Sequence, residues 1–110
     1  MQIRLTKPWR PLTAEEVRKL PGQLGVYELA DASGGVVYVG FAGAKELFGL
    51  RSALQRHAEA GTGGAVSFRV EVNMQYTSRF KELLMSHRMD HGDIPAVNRT
   101  EPPVKIGRLS

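Results

Sequence analysis

Two tyrosines stand beside glycines in mirrored order: Gly25-Val26-Tyr27, then ten residues, then Tyr38-Val39-Gly40. A phenol hydroxyl donates or accepts a hydrogen bond, and as a phenolate it takes a proton. Its ordinary pKa of about 10 keeps it protonated at neutral pH, so proton-taking needs positive charge close by. Each triplet lies in a β-rich run, over 25–30 and 36–41, and the turn-forming Asp31-Ala32-Ser33-Gly34-Gly35 joins them. Such a pattern predicts a β-hairpin that brings Tyr27 and Tyr38 nearly opposite one another. The plainer reading of the pair is a cross-strand aromatic contact that stabilises the sheet.

Other chemistry-bearing residues are sparse. His87 and His91 stand four apart, at the spacing of two metal ligands on one helix face, but only His57 remains as a third histidine and there is no cysteine. A solvated helix end explains that pair as well. Gly61-Thr62-Gly63-Gly64 precedes a strand rather than a helix, so it lacks the helix N-terminus that a phosphate loop uses. Glu82, taken alone, reads as a surface carboxylate paired with Arg79 or Lys81.

The elements that must position these groups follow from periodicity. Thr13 and Glu16 form a capping box for a short helix over 14–20, ended by Pro21-Gly22. Leu47, Leu50 and Leu54 recur at helical spacing, with Gly49 interrupting them. Val66, Phe68, Val70 and Val72 alternate with polar residues to Asn73, the pattern of a half-buried strand. Phe80, Leu83, Leu84 and His87 mark a final helix, capped by Thr77 or Ser78 and closed by Gly92. The expected class is α+β: a small, mostly antiparallel three-stranded sheet flanked by helices. Residues 1–12 read as a basic arm around Trp9, 13–98 as the domain, and 99–110 as an extended proline-bearing tail.

Composition bounds the rest. A chain of 110 residues makes one domain at most. Its 42% hydrophobic content is too high for general disorder. No apolar run approaches the about 18 residues of a membrane span. Met1 to Pro8 lacks the apolar stretch of a signal peptide, and the missing cysteine fits a reducing compartment, so the expected location is the cytoplasm. The formal charge of +4 permits a polyanionic partner without demanding one.

Taken in order, these residues resemble the signature of the GIY-YIG nuclease superfamily. The lead-in Leu20-Pro21 before Gly25-Val26-Tyr27 is similar to that of its excision-repair members. Arg51 in a helix, the 66–73 strand, Glu82 in the next helix, and Asn98 after Pro95 then follow in the family's order. The resemblance covers 20–98. It implies a metal-dependent endonuclease that hydrolyses phosphodiester bonds in nucleic acid, DNA ahead of RNA. It casts Tyr27 as general base, Tyr38 on the water or phosphate, Arg51 neutralising charge, and Glu82 as ligand of one Mg2+ or Mn2+. Gly40 would admit the phosphate, with His57, Arg56 and Asn98 also at the substrate, Asn98 chiefly as a structural hydrogen-bonding residue that anchors the tail near the site. One departure stands out: the family's arginine precedes the His57 position by one turn, and that place holds Ala53. The alternative is a GIY-YIG-like domain that has lost catalysis and binds nucleic acid or a protein. A third reading is an interaction module whose tyrosine pattern is coincidental.

Overall fold

The computed structural model describes residues 4–101. Seven main elements follow one another: β1 (Arg10–Pro11), α1 (Ala14–Arg18), β2 (Gly25–Ala30), β3 (Val36–Ala42), α2 (Gly49–Ala60), β4 (Ser67–Val72) and α3 (Tyr76–His91). Short 3-10 turns occupy Thr62–Gly64 and Asn98–Thr100. The fold is α+β as expected, but the sheet has four antiparallel strands rather than three, in the order β1-β4-β2-β3. The fourth strand comes from the segment expected to be an arm. Arg10 and Pro11 pair with Phe68 and Ser67, and Leu5 is buried beneath the sheet. Beyond residue 101, the expected tail lies outside the described residues.

Strand pleating divides the side chains into two packed layers. Tyr27, Leu29, Tyr38, Ala42 and Phe68 face α1 and α2, meeting Val17, Leu20, Leu50, Ala53 and Leu54. Val26 and Val39 face the other way, against Phe80, Leu83 and Leu84 of α3 and against Leu5. Each large side chain fully removed from water here contributes about 1.5–3 kcal/mol.

The elements end where the sequence punctuates them. Thr13 Oγ1 accepts from the Glu16 N–H at 3.2 Å, as the capping box predicts. Asp31 Oδ1 accepts from the N–H groups of Ser33 and Gly35, closing the hairpin. Gly92 stops α3 in the left-handed region with φ +85°. Neither Thr77 nor Ser78 caps α3; the cap position is Gln75, with no side-chain bond. Leu47 departs from its expected stripe and is 83% exposed. The reason is Gly49, whose φ of +52° starts α2 only after Leu47 has passed. A Cβ on Gly49 would stand 2.2 Å from the Gln23 carbonyl oxygen, so glycine is required there.

Candidate functional site: a hollow over the tyrosine face

The β2–β3 register pairs Tyr27 with Gly40 and Leu29 with Tyr38. The tyrosines are therefore diagonal neighbours, with ring centroids 6.1 Å apart. His57 projects from the last turns of α2 onto both, with centroids 5.4 Å from Tyr27 and 5.1 Å from Tyr38. Its Nε2 lies 2.8 Å from the Tyr27 hydroxyl and its Nδ1 lies 2.7 Å from Thr62 Oγ1. Either neutral tautomer satisfies both bonds: the ring donates to one hydroxyl and accepts from the other. The Tyr38 hydroxyl donates to Glu101 Oε2 at 2.9 Å.

These three rings form the floor of an open hollow of about 860 Å³. One wall is aromatic: Phe41 stacks on Tyr76 at 5.5 Å and meets Phe80 edge-on at 5.0 Å. The rim is charged, with Lys45, Glu46, Arg56 and Glu101. Arg56 donates from Nη1 and Nη2 to both oxygens of Glu46, which holds the Glu46 carboxyl below its ordinary pKa. Burial pushes the Tyr27 hydroxyl well above the ordinary tyrosine value, and nearby Tyr38 adds to this while Arg56 partly opposes it. Tyr38 is raised by burial and then by its bond to Glu101. His57 is lowered, first by burial and then by Arg56. At neutral pH the floor is thus uncharged.

The hollow brings together Tyr27, Tyr38, His57 and Arg56 from the expected set, and leaves the others elsewhere. Glu82 lies on α3 and accepts from Arg79, which also donates to Glu71. Glu71 pairs in register with Val26, on the sheet face opposite the tyrosines. Glu82 is therefore part of an ion-pair cluster on the α3 side and does not line the hollow. Arg51 does not line it either: its guanidinium lies 5.1 Å from the Phe48 ring centre and against Gly22, and its buried Nε has no partner. Ala53, at the family's arginine position, is buried in the core. Gly40 has a role other than admitting phosphate. A Cβ there would stand 2.5 Å from the Tyr27 ring and hydroxyl, so Gly40 makes room for the tyrosine. Asn98 is buried and donates to the Val39 carbonyl at 2.9 Å while accepting from its N–H at 2.8 Å, a structural strap rather than a substrate contact.

The resemblance assigns a divalent ion to Glu82. Its ion pair with Arg79, on the far side of the sheet from the tyrosines, does not fit that role. Among the described residues, no three histidine, aspartate or glutamate side chains are grouped to hold a metal ion. His87 and His91 do meet, at 4.3 Å, but His87 Nδ1 donates to the Asp93 carbonyl. The residues that sequence reasoning missed are Glu101, Glu46, Thr62 and the Phe41–Tyr76 wall. Only Thr62 left a signal, five residues beyond His57 in a glycine-rich stop.

The model of the family described as Domain of unknown function (DUF7508) matches residues 3–90, and the chain belongs to this family. No curated protein matches the chain. No helix among the described residues is long and apolar enough to cross a membrane.

Proposed function

We propose that this chain is a GIY-YIG-like domain that binds nucleic acid through the tyrosine hollow and does not cleave it. The observation that carries the reading is the separation of the tyrosines from the one carboxylate the resemblance makes essential. Tyr27, Tyr38 and His57 share a floor, while Glu82, on the helix that supplies Tyr76 and Phe80 to the wall, is held by Arg79 and does not line the hollow. The charge balance agrees. Arg56 is already neutralised by Glu46, and the raised Tyr27 hydroxyl stays protonated rather than serving as a base. Aromatic walls beside an exposed lysine suit a nucleotide, whose base has a stacking face and whose phosphate is anionic. We assign the chain to the cytoplasm on its lack of cysteine.

Cleavage with Mg2+ or Mn2+ is the second reading, favoured by the 2.8 Å contact between the Tyr27 hydroxyl and His57. One experiment separates the two. Supercoiled plasmid is incubated with the protein and either metal, alongside Tyr27→Phe and Glu82→Ala, while binding to labelled DNA and RNA is followed across salt concentrations. The expected result is salt-sensitive binding with no nicking. Nicking by the wild type that Tyr27→Phe abolishes would establish the second reading. Absence of binding to any nucleic acid would overturn both.

A further inference from the structure

We infer that the hollow accepts an unpaired nucleotide, so that the chain prefers single-stranded nucleic acid over duplex. The inference rests on the proposed nucleic-acid reading and narrows it. The first support is electrostatic. Of the four charged rim groups among the described residues, Glu46 and Glu101 are carboxylates, and Arg56 is occupied by Glu46. Lys45 is exposed and makes no ion pair among the described residues. The rim thus offers attraction to about one phosphate and repulsion to those on either side. A duplex groove presents its phosphates in regular rows, and proteins that bind it neutralise several at once.

The second support is the wall. Phe41 is 40% exposed yet held by Tyr76 and Phe80, so an aromatic face is fixed in place before any ligand arrives. Bases in a duplex are already stacked on one another and cannot use such a face, whereas an unpaired base can.

The third support is the open strand edge. Val39 exchanges both backbone bonds with Asn98, and the Val97 N–H donates to the Val37 carbonyl. Their outward direction means that Phe41, two residues on, turns its N–H and C=O to the same edge. Among the described residues the strap ends before Phe41, so one donor and one acceptor lie beside the aromatic wall. Such a pair matches the polar edge of a nucleobase, which also carries donors and acceptors.

The test compares a labelled oligothymidylate with a duplex of equal length by fluorescence anisotropy, using wild type, Phe41→Ala, Lys45→Ala and Arg88→Ala. Arg88 lies exposed on α3 outside the hollow, so its variant controls for net charge. The expected result is single-strand binding tighter by about tenfold or more, weakened about tenfold by Phe41→Ala or Lys45→Ala, and unaltered by Arg88→Ala. Lys45 is on an exposed loop, so its variant keeps the test decisive if Phe41→Ala folds poorly. Equal or tighter duplex binding overturns this inference and leaves the proposed function standing. Equal weakening by Lys45→Ala and Arg88→Ala also overturns it, because charge alone would then account for binding. Failure to bind either strand form, as DNA or as the matching RNA, overturns the proposed function itself.

Discussion

His57 is the residue on which the tyrosine floor depends, because it bonds Tyr27 on one side and Thr62 on the other. Burial lowers its proton affinity in the folded chain. The unfolded chain, with an ordinary histidine pKa of about 6.5, takes up the proton first as pH falls. Stability is therefore complete above about pH 6.5 and declines as pH drops from there through the lower folded value. His57→Gln should flatten this decline, as read from urea midpoints across the acid range. A variant whose midpoints fall as steeply as wild type would remove His57 as the cause. At this scale, Tyr27, Tyr38 and His57 were legible because a hairpin and a helix repeat fix their neighbours. Glu46 and Glu101 were not, because their positions depend on the paths of irregular segments, which carry no period. The resemblance predicts space for phosphate at Gly40, whereas Tyr27 fills that space.

Among the elements, β3 is an outer strand of the sheet and needs partners from outside it. Asn98 satisfies both backbone groups of Val39 from a buried position. Asn98→Ala would leave a buried N–H and C=O unpaired, at a cost of about 1–3 kcal/mol for a lost group of this kind. Calorimetry should show a clearly lower unfolding temperature; a change below about 0.5 kcal/mol would mean water replaces the amide without loss. The hairpin could be read from its two β-rich runs and the glycine-bearing turn between them, and β4 from alternation over six or so residues. The two residues of β1 carry no alternation, so the pattern predicts only three strands. Periodicity places Leu47 on a helix stripe because it does not reveal the left-handed turn at Gly49.

The whole molecule binds its first described residues tightly to the rest. Leu5 is buried with Phe80, Leu83 and Leu84, and Arg4 donates to both oxygens of Asp90 near the end of α3. Leu5→Ala should cost about 2–5 kcal/mol, the range for truncating a buried leucine, and should lower the denaturant midpoint. A loss under about 1 kcal/mol would show that this segment can leave without opening the core. Composition gave the size and the positive charge but not its arrangement. Arg4, Arg10, Lys19, Arg56, Arg69, Arg79 and Arg99 all meet carboxylates, so much of the positive charge is spent within the chain. The strap on β3 has a counterpart at the other side of the sheet, where β1 is two residues long and ends in Pro11, which has no N–H to offer. A neighbouring copy that approaches β3 thus meets Asn98 where the Val39 backbone would otherwise offer a pairing partner, which hinders strand-on-strand addition along that part of the sheet margin.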